Sequence, residues 1–301
     1  MRLARNAGAK RDLSTVAFLT GALGMIGVVL VLAACGSGAQ KHDTQKSSAP
    51  KHDKVISGPI DIGGRSLYLK CAGSGRPVVV MDAGMGTGTE AWDAVVPAIS
   101  KLTRTCRHDR AGEGASDSVP GPRTAHDLVS DLRLLLARAG VAPPYVLVGW
   151  SFGGLDMRLF AGEYPREVVG LVLVDASPTT LIDGACSIST ALCSSYRSAW
   201  ASNPEGVQFE RSAHEVAATR LPKIPLIVIS ASSHQEPGLG GRVNRRLEAQ
   251  WQRAQKRVAA SVPGGRLEVL KGFHNIPQAH PRAVTAVVGE VLKKARLRSG
   301  A

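Results

Sequence analysis

Aromatic residues are scarce in this chain: Phe, Trp and Tyr together make up 4% of its 301 residues. That leaves little material for the stacked platforms on which proteins hold bases or sugars. No C-x2-C pair and no H-E-x-x-H string occurs, so neither a metal nor a cofactor is expected. Lys and Arg outnumber Asp and Glu by 37 to 24, a formal +13, yet the excess is spread along the chain rather than gathered into a block, which argues against a nucleic-acid partner. No internal repeat is evident. Charged residues are 20% against 44% hydrophobic ones, a balance that buries a sizeable core and excludes disorder as the main state. Glycine is abundant, with 33 residues, and points to many tight turns.

The N-terminus has the pattern of an export signal. Arg2, Arg5, Lys10 and Arg11 precede an uncharged run from Leu13 to Ala34, which ends Leu32-Ala33-Ala34-Cys35. Small residues ahead of a cysteine resemble the lipobox of bacterial lipoproteins, in which the thiol is diacylated and the preceding segment removed. Residues 1–34 are accordingly expected to be a lipoprotein signal peptide and Cys35 the lipidation site. The protein would then be exported and tied by its lipid anchor to the outer face of the bacterial cell membrane, since two acyl chains anchor stably. An uncleaved membrane helix is the alternative; it leaves Cys35 and its small neighbours unexplained. From Gly36 to Lys54 the chain turns to Gly, Ser, Lys, Asp, Gln and His without apolar periodicity, so residues 35–54 are expected to form a flexible tether.

After residue 54 the pattern changes. Val55 to Ile62 and Ser66 to Cys71 are short β-forming runs about Gly63-Gly64-Arg65, as in a hairpin. Pro77 to Met81 is a continuous apolar strand followed by the glycine loop Asp82 to Gly88, and Thr103 to His108 is another strand. Thr124 to Asp127 reads as a capping box, with Leu128, Leu132, Leu135 and Leu136 at helical spacing up to Gly140. Further strands are expected at Tyr145–Val148, Val168–Val174, Ile224–Ile229 and Leu267–Leu270. They alternate with helices at Phe152–Glu163, Arg242–Ala260 and Pro281–Leu297. Such alternation specifies an α/β fold with a mostly parallel sheet and helices on both faces. Residues 176–221 break the pattern and are read as a short cap inserted into a domain running from 55 to 298.

Gly149-Trp150-Ser151-Phe152-Gly153 lies where a strand hands over to a helix, the context that gives a G-x-S-x-G string meaning: glycines permit a tight elbow that lifts the serine hydroxyl off the sheet edge. With this elbow, the loop Met81-Asp82-Ala83-Gly84-Met85-Gly86, the turn Asp109-Arg110-Ala111-Gly112-Glu113-Gly114 and the late Gly272-Phe273-His274, the segment from Val55 to Leu297 resembles the alpha/beta hydrolase family. The resemblance implies an eight-stranded sheet and a serine hydrolase that cleaves a small-molecule carboxylic ester through an acyl-enzyme on Ser151. Peptide or amide cleavage on the same fold is one alternative, and a non-catalytic surface-binding lipoprotein is the other.

A serine hydroxyl needs a base. Of the four histidines beyond Ser151, His274 follows a strand and matches the family's catalytic position; His280 and His234 are expected in solvent and His214 in the cap. Most of the family carry the acid after the seventh strand, where no carboxylate precedes Glu236. Some lipases of the family carry it after the sixth, where Val174 is followed by Asp175. Asp175 is therefore the expected acid and Glu236 its alternative, with Asp109 assigned to a turn and Asp156 to a helix surface. The resemblance also implies oxyanion donors at the backbone N–H groups of Met85 and Phe152, and a Cys71–Cys106 bridge between neighbouring strands, which leaves Cys186 and Cys193 to close a cap loop. Trp92 and Trp150 are candidates for either the acyl pocket or the core.

Overall fold

The computed structural model describes residues 55–299 apart from Gln235 and Pro237. Cys35, the signal peptide expected at 1–34 and the tether expected at 35–54 lie outside the described residues.

Eight strands form one sheet: β1 (Ile56–Asp61), β2 (Ser66–Ala72), β3 (Val78–Asp82), β4 (Thr105–His108), β5 (Tyr145–Trp150), β6 (Val168–Val174), β7 (Leu226–Ala231) and β8 (Arg266–Leu270). Their order is β1-β2-β4-β3-β5-β6-β7-β8; β1, β2 and β4 pair antiparallel, and every pairing from β4 to β8 is parallel. Every residue of β3 and β5 is buried, because both faces of the sheet are covered by helices.

Alternate residues of each strand serve opposite faces. Val79, Met81, Val148, Val174 and Ile229 pack with Val284, Val288 and Val291 of α9 (Pro281–Ser299) and with α1 (Val96–Ile99). Val78, Val80, Leu147, Leu173 and Val228 pack on the other side with α2 (Ala125–Arg138) and α3 (Gly153–Glu163). The start of α2 is held by the Asp127 carboxylate, which accepts a hydrogen bond from the Thr124 N–H at 2.8 Å. β7 begins two residues later than expected. Pro225 has no N–H to give to a ladder, and only its carbonyl pairs, accepting from Leu171 N at 2.9 Å.

The insertion after β6 carries three helices, α4 (Leu181–Cys186), α5 (Thr190–Ala201) and α6 (Phe209–Ala218); then follow β7, α7 (Gly241–Ala260), β8 and the single turn α8 (Ile276–Ala279). Cys71 and Cys106 are direct cross-strand partners of β2 and β4, 4.1 Å apart at Cα, and are disulfide-bonded. Cys186 and Cys193 join α4 to α5 across 7 residues.

Candidate active site

Two residues without glycine's freedom sit in left-handed backbone geometry among the described residues: Ser151 at φ +55° and Asp175 at φ +46°. Such geometry costs about 1–3 kcal/mol per residue and persists only where the surroundings impose it. At Ser151 the imposition is visible. The chain passes from β5 into α3 through the two-residue turn Ser151-Phe152, and the glycines at 149 and 153 let it double back: a Cβ on Gly149 would lie 2.4 Å from the Gly153 carbonyl, and one on Gly153 would lie 2.5 Å from that of Ala83. The serine is thereby presented at the C-terminal edge of the sheet.

Asp175 immediately follows β6 and is fully buried. One carboxylate oxygen, Oδ1, accepts from the Ala231 N–H at 3.0 Å, Trp251 Nε1 at 3.0 Å and Ser230 Oγ at 3.1 Å. The other, Oδ2, faces His274 Nδ1 and His234 Nε2, each at 2.7 Å. His274 Nε2 in turn lies 2.8 Å from Ser151 Oγ. The three sequence candidates Ser151, His274 and Asp175 thus form one continuous hydrogen-bonded chain. The ring of His274 is steadied edge-on by Trp251, with centroids 5.6 Å apart, and its carbonyl accepts from Trp150 Nε1 at 2.8 Å.

Burial pushes the Asp175 carboxyl up, but the hydrogen bonds and charges of His234 and His274 outweigh it and hold the group well below the usual carboxylate range. Asp175 is therefore ionised at neutral pH. Glu236, the alternative acid, is exposed and accepts from the Tyr196 hydroxyl at 3.1 Å, away from His274.

The glycine loop closes the other side. A Cβ on Gly84 would sit 3.2 Å from that of Ser151, and neither the Met85 nor the Phe152 N–H is taken by another described backbone group. Asp109 stabilises its turn, accepting from Thr89 N and Ala115 N. Arg110 beside it reaches Asp82, the Ala83 and Gly84 carbonyls and the Glu205 carboxylate of the cap.

Several expectations are corrected here. His234 is not solvated: its side chain is only 10% exposed, it stacks on Trp251 with centroids 4.2 Å apart, and it bridges Asp175 to Glu248, whose Oε2 is 3.0 Å from Nδ1. Burial lowers its pKa, but the two carboxylates more than compensate and the net effect is a rise. Asp156 is not on a helix surface. It is buried beside Asp82, its carboxyl oxygens have no hydrogen-bond partner, and burial with the neighbouring charge raises its pKa well above the ordinary value. Trp92 is fully buried in the core and Trp150 spends its N–H on His274, so neither lines the cleft. The aromatics that do are Tyr196, Trp200, Trp251 and Phe273, around a cavity of about 420 Å³ that also exposes Ser151 and His274.

Among the described residues, the one cluster spaced to hold a cation is Asp175, His234 and His274, and its facing atoms are already spent on one another.

Residues 77–217 match the model of the alpha/beta hydrolase fold. The chain is similar to the Bacillus subtilis protein YqjL, 27% identical over 73% of this chain and 85% of that one. It is also similar to a pimeloyl-[acyl-carrier protein] methyl ester esterase of Edwardsiella ictaluri, 33% identical over 38% of this chain and 42% of that one. A crystal structure of a hydrolase from Pseudomonas aeruginosa PA01 superposes with a TM-score of 0.55 at 23% identity, covering 76% of this chain and 95% of that one. The fold is the alpha/beta hydrolase fold. Several other curated relatives are matched over less than half of their own length. In the alpha/beta hydrolase fold of this chain, the strand-to-helix turns after β5 and β6 and the loop after β8 all open at the C-terminal ends of parallel strands, which is why residues 123 positions apart in sequence meet.

Proposed function

We propose that this protein is a serine hydrolase that cleaves a small carboxylic ester through an acyl-enzyme on Ser151. The observation that carries the reading is the relay Ser151 Oγ to His274 Nε2 to Asp175, at 2.8 and 2.7 Å. Neutral His274 takes the hydroxyl proton as Oγ attacks the ester carbonyl, and the imidazolium returns it to the departing alkoxide. Water, deprotonated by the same nitrogen, then hydrolyses the acyl-enzyme. Ionised Asp175 keeps the Nδ1 proton of His274 in place, so that Nε2 is the accepting nitrogen, and stabilises the imidazolium. The N–H groups of Met85 and Phe152 receive the charge that develops on the carbonyl oxygen; a donor of this kind contributes about 10²–10³ in turnover.

The cleft supports an ester of modest size: about 420 Å³, lined by Leu181, Tyr196, Trp200, Leu247 and Trp251, with no Arg or Lys to draw a charged acyl group. We further propose the organisation read from the sequence, a signal peptide over 1–34, Cys35 diacylated on the outer face of the membrane, a tether over 35–54, and the catalytic domain over 55–298 with its cap at 176–221.

Labelling with a fluorophosphonate, followed by a panel of p-nitrophenyl esters of rising acyl length and of aminoacyl amides, tests the reading. Labelling at Ser151 and turnover of esters are expected, with amides cleaved far more slowly. Absence of labelling would make this a binding protein, and faster amide turnover would make it an amidase.

A further inference from the structure

A second cavity, of about 410 Å³, lies between α3, residues 176–180, the end of α6 and α7. Arg158 of α3, Arg220 after α6 and Arg257 of α7 line it, and no acidic residue does. Arg158 is the anomaly. Its Nε is sealed from solvent and has no hydrogen-bond partner, and burial, opposed by no carboxylate, pulls the guanidinium down to about 10. Arg158 as a whole is half-buried, but a sealed N–H donor without an acceptor is costly, which is why buried polar groups are otherwise paired. Arg220 and Arg257 are exposed at the rim, and neither forms an ion pair with a described residue. The hydroxyl of Ser177 adds a donor, those of Thr219 and Ser261 being given to the Glu215 and Val258 carbonyls, while Leu221 and Val258 supply an apolar wall.

We propose that this cavity is a binding site for a phosphate ester, its oxyanion held by Arg158 from within and by Arg220 and Arg257 at the rim. Three planar guanidinium forks suit a multiply charged tetrahedral anion, and each can donate two hydrogen bonds to it. The volume exceeds that of a bare anion, and the apolar wall gives the organic part of an ester a place to lie. Ser177, Pro178 and Thr180 line both this cavity and the catalytic cleft, so the ligand would press on the segment that leads away from Asp175. A soluble phosphate ester and the headgroup of an anionic lipid present the same chemistry.

Calorimetric titration of the full-length protein with glycerol 3-phosphate and with inorganic phosphate at constant ionic strength tests the site. Co-sedimentation with phosphatidylcholine vesicles, with and without phosphatidic acid, distinguishes the lipid source. Saturable binding in at least one arm is expected. Arg158→Gln should weaken it about 10- to 100-fold, the loss of a charge-assisted hydrogen-bonded contact. Arg257→Gln, on the exposed rim where folding is not at stake, should weaken it several-fold. Binding to phosphatidic acid vesicles alone, lost in Arg257→Gln, identifies a lipid headgroup. No saturable binding in either arm, or affinity unchanged by both substitutions, overturns the proposal. Neither readout involves turnover, so the result stands apart from the hydrolase reading.

Discussion

Replacing Asp175 by asparagine separates the proposed relay from a mere structural carboxylate. The wild-type group sorts its donors by oxygen: Oδ1 takes Ala231 N, Trp251 Nε1 and Ser230 Oγ, and Oδ2 takes the two histidines. An asparagine can accept on one side only. Three donors outvote two, so its carbonyl should turn to the Ala231 side and its NH₂ to His274 Nδ1. That nitrogen must then accept, which moves the imidazole proton to Nε2 and points it at Ser151, where a base is needed. The substitution preserves shape while installing the wrong tautomer on His274, and it also withdraws the acceptor that faces His234 Nε2. In well-studied triads this error costs about 10⁴ in kcat, or about 5 kcal/mol of transition-state stabilisation. The assay is kcat for a p-nitrophenyl ester, with circular dichroism to verify folding. Ser151→Ala and His274→Ala should cost at least as much, and a double variant with Asp175→Asn little more, because such groups act as a unit. Glu236→Gln should leave turnover near wild type. Full activity in Asp175→Asn, or a large loss in Glu236→Gln, would refute the assignment.

Further outcomes are expected at His234, at Asp175, at the Cys71–Cys106 bridge and at Cys35. His234, with a carboxylate facing each nitrogen and its charged form thereby favoured, competes with His274 for Asp175; His234→Gln should therefore shift the acid limb of kcat/KM to higher pH, and an unmoved limb would count against the coupling. Its raised pKa means that its stabilisation is complete below its ordinary 6.5 and is lost as pH rises through the raised value, so the Tm of the variant should fall less than that of wild type above that pH. The depressed pKa of Asp175 acts in the opposite window: its stabilisation is present above its ordinary 3.8 and is lost as pH falls below that, which acid unfolding followed by far-UV circular dichroism would register. Breaking Cys71–Cys106, which closes a loop of 35 residues, should cost about 3–4 kcal/mol in denaturant unfolding, and free thiols at both positions in non-reducing peptide maps would remove the premise. Cys35→Ala should abolish partitioning into detergent, whereas an intact signal on the mature protein in mass spectrometry would contradict the lipobox reading.

The sheet was legible because its central strands announce themselves. β3, β5 and β6 carry nearly continuous apolar runs, the first two entered from a proline, and the capping box at Thr124 marks a helix start without reference to the rest of the chain. Ser151 was legible for a related reason: the elbow needs two glycines at fixed offsets, so a backbone constraint left a string in the sequence. His234 left none. Its place depends on where the loop after β7 falls relative to α7 and on Trp251 being there to stack against, and no local pattern encodes either. The loop after β7 holds no carboxylate before Glu236, and what it supplies is a histidine that reaches back to the Asp175 carboxylate after β6. Asp156 misled for the converse reason. An aspartate in the first turn of a helix is ordinarily a solvated partner of the helix dipole; here the first turn of α3 faces Asp82 and Arg110 under the glycine loop, and burial follows from tertiary packing alone.

Arg110 fixes the orientation of the donor proposed in the glycine loop. A trans peptide unit points its carbonyl and its N–H in opposite directions. The Gly84 carbonyl accepts from Arg110 Nη2 at 2.8 Å and from Thr87 Oγ1 at 2.8 Å, so the Met85 N–H of the same peptide unit is turned to the opposite side from those donors. The guanidinium is in turn fixed by Asp82 at 2.7 Å and by Glu205 at 2.5 and 2.7 Å. Glu205 belongs to the cap, and its Oε1 also accepts from the Gly86 N–H at 3.2 Å. One buried arginine thereby ties the turn after β4, the end of β3 and the cap to the orientation of a single amide. Burial opposes the charge of both Arg110 and Asp82, but Asp82 and Glu205 raise the pKa of Arg110 above its ordinary value and Arg110 holds that of Asp82 below its own, while burial and the charge of Asp82 raise that of Asp156. A donor aligned in this way needs no reorganisation when charge develops on the substrate oxygen, which is the condition under which a backbone N–H contributes most to the transition state.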